Sequence, residues 1–517
     1  MKKTGYICFI FLLFMVERSI AQNNIFSVDK IPFDSNTEKE LIKDYLSGNL
    51  PSFTAFLAIS SEDSSRFELW EKKFNRFIDD QKAIKPSKKL HKNVKRIYED
   101  LHANFLKKYE LLAYFDETFE SGTYNCVSAV AMYALTFEAL SIPYVIKETP
   151  THVFIIVDPD NTQLLIETTD PVKGFKSFRP GFKENFVNQL LSVKVISEEE
   201  VSNKGLNMVF EENYFGGENL TIKELVGIQY YNKGASLYND QQYLAAFEEL
   251  SKAQLFHFND EMNDILSASL INALAQSEYE NWEEIKLTAY MDQFMEKGLS
   301  KNMIIGEMQR AMNIILIQNR DEELAQKTID FYAMNAKDTA IIREVKFNYH
   351  YDRAVIYYNR SDSEKAFQYA SKAYSLNPTN FRSEDLLIES FKLAFRNEEI
   401  ESITQKMEEL SQTYPQLLKN NSFISLKVNA YLFGMSKSFE EKKANLGSNY
   451  QSKAEHLIKE FEDLLYDPKL ISEAYSNASV YYFKIGYTSK AKALLRKGLE
   501  LAPNDRQLEI RLKMVNY

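Results

Sequence analysis

One cysteine, one histidine and a pair of acids follow one another in the order that nucleophilic amide chemistry needs. Cys126 comes after a glycine-containing loop, Ser121-Gly122-Thr123-Tyr124-Asn125. It opens a run of small and apolar residues, Val127, Ala129, Val130, Ala131, Ala134 and Leu135, whose spacing predicts a helix. At a helix start the unpaired N–H groups and the helix dipole favour a thiolate. The backbone N–H of Cys126 is also placed to help hold an oxyanion. His152 stands at the head of the apolar run Val153-Phe154-Ile155-Ile156-Val157, after Thr149-Pro150-Thr151. An imidazole beside a thiol forms the ion pair that activates the sulfur. Glu167-Thr168-Thr169-Asp170-Pro171 then offers two carboxylates. On a strand, Glu167 and Thr169 share one face and Asp170 faces the other unless the strand has ended, so either acid can orient the imidazole. Each residue has a structural alternative: free cysteine packs as a small buried hydrophobe, a histidine at a strand edge is often simply satisfied there, and Asp before Pro is ordinary turn chemistry.

The rest of the composition narrows the chemistry. Residues 1–21 read as a cleavable signal peptide: Lys2 and Lys3, then an apolar core from Ile7 to Val16 too short to span a bilayer, then Ser19-Ile20-Ala21 before Gln22. The expected product is a soluble exported protein, secreted or periplasmic, with no later membrane span. Removal of the leader takes away Cys8 and leaves Cys126 as the one cysteine, so no internal disulfide can form. The leader carries Lys2, Lys3 and Arg18 against Glu17, so its loss takes the net charge from −11 to −13. That acidity argues against nucleic acid and anionic membranes as partners. The six histidines, His91, His102, His152, His257, His350 and His456, fall in no metal-binding spacing, and no phosphate-binding glycine loop is present. Neither metal nor cofactor is expected.

The elements that must position these residues are legible in outline. Residues 22–85 read as a helical lead-in, with helical periodicity over 38–45 and 67–77. A lysine-rich loop over 82–95 leads into a helix from Leu90 to Tyr109 with Val94, Ile97, Tyr98, Leu101, Phe105 and Leu106 on one face. After Cys126, Ser141-Ile142-Pro143 ends the helix. Strands are predicted over 144–147, 152–157 and 163–169, the last two joined by Asp158-Pro159-Asp160-Asn161. Helix, strand, strand, turn, strand makes an α+β core with an antiparallel sheet over 86–200. Charge and glycine over 201–222 predict a linker.

From 223 to 517 helix follows helix. Three stretches share one template: Tyr230, Gly234, Leu237, Ala246, Leu250 and Ala253; His350, Ala354, Tyr357, Ala366, Ala370, Ala373 and Pro378; Tyr475, Ser479, Tyr482, Ala491, Leu495, Gly498 and Pro503. Each is a pair of short antiparallel helices with small residues where they cross. The pattern resembles the tetratricopeptide repeat, with about seven repeats or degenerate pairs at a ~34-residue period, and predicts a superhelical array that binds a protein or peptide.

The stretch Gly122-Thr123-Tyr124-Asn125-Cys126, then Thr151-His152-Val153-Phe154, then Glu167-Thr168-Thr169-Asp170-Pro171 resembles the transglutaminase-like superfamily, with its papain-like core. Residues 97–102 with Tyr109 look like that family's approach to the nucleophile. The chain departs from the family in having Val153-Phe154 where a Trp usually follows the His, and Glu167 matches the family's Asp as well as Asp170 does. The resemblance implies Cys126 as nucleophile, His152 as general base and acid, and Glu167 or Asp170 as orienter. It implies attack on an amide or peptide carbonyl through a thioester, with water or an amine as acceptor. The alternative is an inactive domain of the same fold within an interaction scaffold. The expected architecture is thus a papain- or transglutaminase-like α+β domain followed by an all-α tetratricopeptide-type array.

Overall fold

A computed structural model describes residues 26–60, 63–149, 152–169, 174–177, 181–192, 194–215, 219–257 and 259–516. The signal peptide expected over 1–21, the Pro150-Thr151 step and the candidate Asp170 lie outside the described residues. The chain divides into two compact units. One holds residues up to Glu307 together with Ile314–Lys337, the other Met308–Asn313 together with Asp338 onward. The described chain is mostly helical with a small sheet.

The first unit begins with α1 (Asn36–Leu46), α2 (Ser52–Ser60), α3 (Phe67–Ala83) and α4 (Leu90–Asn104). Strand β1 (Lys108–Tyr109), helix α5 (Glu117–Glu120) and strand β2 (Thr123–Tyr124) lead to α6 (Cys126–Ala139). The helix expected to reach Tyr109 stops at Asn104. Beyond it the backbone is claimed by the loop before Cys126: the Lys107 N–H donates to the Gly122 carbonyl at 2.8 Å and the Glu110 N–H to that of Tyr124 at 2.9 Å. Tyr109 thereby pairs with Tyr124 in a short parallel bridge. Gly122 is required at this turn. Its φ is +80°, and a Cβ would lie 2.8 Å from the Lys107 side chain.

Helix α6 is apolar around its whole circumference, and such a helix has no face to give to water. Residues Cys126 to Ala134, with Thr136 and Phe137, are all buried. Around it pack α4, α10 (Ile222–Asn239) and the sheet. The strands are β3 (Tyr144–Thr149), β4 (His152–Val157), β5 (Leu164–Ile166), β6 (Phe175–Ser177) and β7 (Asn219–Leu220), in the order β6-β5-β4-β3-β7, every pair antiparallel. Val153, Ile155, Val157, Leu164 and Ile166 join the core around α6. Phe154, Ile156 and Leu165 join a second core with Val187 of α7 (Phe182–Ser192) and Val209 and Phe210 of α9 (Leu206–Phe210), α8 (Glu198–Lys204) lying between these two helices in sequence. Apolar side chains on both faces explain the unbroken run from Val153 to Val157. The stretch 201–222, expected as a linker, lies within the first unit, and its β7 completes the edge of β3.

The first template stretch forms α10 and α11 (Tyr243–Ala253), followed by α12 (Asp260–Gln276), α13 (Trp282–Leu287), α14 (Lys301–Met312) and α15 (Glu322–Asn335). Buried charges tie the N-terminal segment to this helix pair. The fully buried Lys252 ammonium meets Asp34 at 2.9 Å, Glu38 at 3.3 Å and Glu249 at 2.8 Å. The Tyr230 hydroxyl donates to Glu38 at 2.7 Å. Burial alone would raise Asp34, but Lys233 and Lys252 hold it down at about 2.

The second unit holds α16 (Thr339–Asn359), α17 (Ser363–Leu376), α18 (Phe381–Phe395), α19 (Ile400–Thr413), α20 (Asn421–Glu440), α21 (Ala444–Glu460), α22 (Pro468–Lys484), α23 (Thr488–Leu501) and α24 (Arg506–Asn516). The closest-packed successive pairs are α16–α17, α20–α21 and α22–α23, each a hairpin. These three, with the α10–α11 pair of the first unit, share one loop: three residues whose centre is left-handed, Gln241, Ser361, Lys442 and Gly486, at φ 61°, 60°, 62° and 85°. The α20–α21 hairpin belongs to this set although none of the three template stretches covers it. Crossings are close. A Cβ on Gly498 would lie 2.9 Å from the Tyr475 Cβ and 3.0 Å from Leu508.

Candidate active site

Cys126 is the first residue of α6, so its N–H has no acceptor within the helix. Asn125 caps the helix. Its Oδ1 accepts from the Ser128 N–H at 2.9 Å while the Ser128 hydroxyl accepts from the Asn125 N–H at 2.9 Å. This capping box fixes the angle at which the chain enters the helix, and with it the direction of the Cys126 side chain. Asn125 Nδ2 also donates to the Leu111 carbonyl at 3.3 Å, tying the cap to the segment after β1. The thiol is free and its residue is only 9 % exposed.

His152 opens β4, its backbone paired opposite Thr149. Its ring stacks on that of Phe154 with centroids 6.2 Å apart and planes at 22°, which limits its rotation. Nε2 lies 2.7 Å from Glu167 Oε1. The Cys126 thiol lies near enough to the same ring to act on its proton affinity. Glu167 follows β5 directly, and its N–H donates to the Gly174 carbonyl at 2.7 Å. Its Oε1 further accepts from the Thr169 hydroxyl at 2.8 Å, so the carboxylate is itself held. Three of the four residues singled out in the sequence therefore meet, Cys126 to His152 to Glu167. Of the two acids, Glu167 is hydrogen-bonded to the imidazole, and Asp170 lies outside the described residues.

The electrostatics agree with the geometry. The Cys126 thiol and then Glu167 push the His152 imidazole up to about 10, against the opposing effect of its partial burial. Burial would raise the Glu167 carboxyl, but the hydrogen bond and charge of His152, with the Thr169 hydroxyl, hold it below its usual range. An imidazole raised this far carries its proton at neutral pH.

One contributor was not identified as such from the sequence: Thr169 was legible as a face-mate of Glu167, and its hydroxyl donates to that carboxylate. The β1–β2 bridge that pairs Tyr109 with Tyr124 joins two-residue strands, which carry no periodic signal. Two other histidines near this core serve packing and structure: His102 Nδ1 lies 3.1 Å from the Leu106 carbonyl, and His257 Nε2 lies 3.1 Å from Glu148.

No protein-family model matches the chain, and no curated protein matches it. Among the described residues no helix is long and apolar enough to cross a membrane.

Proposed function

We propose that this chain is an exported cysteine hydrolase or acyltransferase of the transglutaminase-like kind, acting on amide or peptide bonds, with tetratricopeptide-type helix pairs that bind a protein or peptide. The observation that carries this is the His152–Glu167 hydrogen bond at 2.7 Å on a ring whose proton affinity the Cys126 thiol also raises. The thiolate attacks the carbonyl carbon, the C–S bond forms, and the carbonyl π electrons move to oxygen. On collapse the C–N bond breaks and the His152 imidazolium gives its proton to the leaving nitrogen, leaving a thioester. Neutral His152 then takes a proton from water or an amine as it attacks. The C–S bond breaks, and the thiolate and imidazolium return. Glu167 holds the ring in place and balances its charge.

The test is thiol reactivity in the folded protein. Iodoacetamide is expected to alkylate Cys126 at about pH 6, and His152→Ala is expected to abolish that reaction at the same pH. Incubation with amide donors should leave an acyl group on Cys126, detectable by mass spectrometry. The low exposure of Cys126 favours a second reading, an inactive domain within a binding scaffold. Alkylation of Cys126 only after unfolding decides for the scaffold.

A further inference from the structure

We propose that a groove at the far end of α6 is a binding site for the C-terminal residue of a peptide, taking its carboxylate on Arg96 and its apolar side chain against Ile84, Leu90 and Ile142. The groove lies among the end of α3, the loop after it, the first turns of α4 and the turn after α6. Its volume of about 410 Å³ is that of a small-molecule site. Cys126 is the first residue of α6, and Ala139, which lines the groove, is the last. The helix of 14 residues is about 20 Å long, so the groove stands apart from the thiol.

Two kinds of wall meet there. Ile84, Leu90 and Ile142 make an apolar one, and Ile84 is 41 % exposed. Lys82 and Arg96 also line the groove, and among the described residues no carboxylate does. In a chain of net charge −11, a groove with two cations and no acid is complementary to an anion. Arg96 Nε is buried with no hydrogen-bond partner among the described residues. Asp100, one turn further along α4, is engaged by Gln81 instead, whose Nε2 donates to Asp100 Oδ2 at 2.8 Å. Gln81 Oε1 is left buried without a partner, on a residue only 6 % exposed that lines the same groove. An orphaned donor on a cation and an orphaned acceptor both cost stability until something engages them. A carboxylate suits the guanidinium fork. The N–H on the carbon beside that carboxylate suits the Gln81 oxygen. A simple aliphatic acid brings the carboxylate and the apolar chain but no N–H, so a peptide end is the ligand that answers both orphans.

Binding is read by ligand-observed NMR titration of the full chain carrying Cys126→Ala, in which no turnover disturbs the measurement. The probes are acetyl-Ala-Leu, its C-terminal amide and octanoate. Acetyl-Ala-Leu is expected to bind at least about 10-fold more tightly than either of the others. Arg96→Met keeps the apolar stem and removes the charge, and is expected to bring acetyl-Ala-Leu down to the level of its amide. Arg96→Lys restores part of the difference. With Arg96 intact, no binding of acetyl-Ala-Leu, or equal binding of acid and amide, overturns the proposal without reliance on any variant. Octanoate binding as tightly as the peptide overturns it in favour of a free aliphatic acid. Folded Arg96→Met protein that binds acetyl-Ala-Leu as the parent does also overturns it. Each of these outcomes leaves the reading of Cys126 standing, because alkylation of that thiol is measured separately.

Discussion

Glu167 is held by His152 and Thr169 at once, and this double engagement is what a charge-balancing orienter needs. Glu167→Gln keeps the shape and removes the charge. Acylation of Cys126 is expected to fall about 100-fold or more, read by pre-steady-state kinetics with an activated ester. The same pair makes stability depend on pH. His152 is raised from 6.5 to about 10, so its contribution is complete below 6.5 and is lost as pH climbs through about 10. Glu167 is lowered from 4.5, so its contribution is complete above 4.5 and is lost as pH falls through its depressed value. The stability gap between wild type and Glu167→Gln should therefore be widest between 4.5 and 6.5 and shrink toward pH 10. Denaturant titrations across that range check it, and a gap that grows with pH contradicts it.

At the scale of elements, the N-terminus of α6 and the crossings of the helix pairs are the sensitive places. Asn125→Ala removes the cap on Ser128 and the tie to Leu111. It is expected to cost about 1–2 kcal/mol and to loosen the sulfur's direction, so acylation should fall before the fold is lost. Thermal unfolding and acylation measured together check this. In the second unit, Gly498→Ala must push apart α22 and α23 at Tyr475, with an expected cost of about 1–3 kcal/mol, read as a lower denaturant midpoint with no change in Cys126 alkylation. The template residues announced these crossings in the sequence. The α20–α21 hairpin carries part of the same template: Tyr431, Gly447 and Ala454 stand about its loop centre Lys442 where Tyr475, Ala491 and Gly498 stand about Gly486. Its other close contact, Gly434 against Tyr450, falls one residue away from the position of Ser479.

At the scale of the molecule, the N-terminal segment is part of the first unit's core. Ile42, Phe53, Phe56, Trp70 and Phe74 share one apolar cluster with α6 and α10. The Lys252 ammonium, buried among Asp34, Glu38 and Glu249, clasps that segment to the α10–α11 pair. Lys252→Ala removes the cation shared by three carboxylates. Among the described residues it leaves only Lys233 on Asp34 and Glu249, and the Tyr230 hydroxyl on Glu38, as their neighbouring side-chain partners. The expected loss is about 3–5 kcal/mol, seen in the unfolding of the first unit. Deleting residues 26–83 should leave the segment of Cys126, His152 and Glu167 unable to fold rather than unmask it, and soluble, alkylatable protein from such a deletion would contradict this.

The sequence by itself determined the order Cys126, His152, carboxylate, the apolar helix behind the sulfur, the central strands and the strongest helix pairs, because each is written in local periodicity, capping or turn chemistry. It predicted the α4 helix too long and a linker at 201–222, where short strands instead complete a bridge and a sheet edge through hydrogen bonds to distant backbone. Only the tertiary structure showed Glu167 against the imidazole and Tyr109 paired with Tyr124 in the loop before Cys126. Those are contacts between segments far apart in the chain, and a meeting of that kind depends on the packing of α6 against the sheet, which no local pattern encodes.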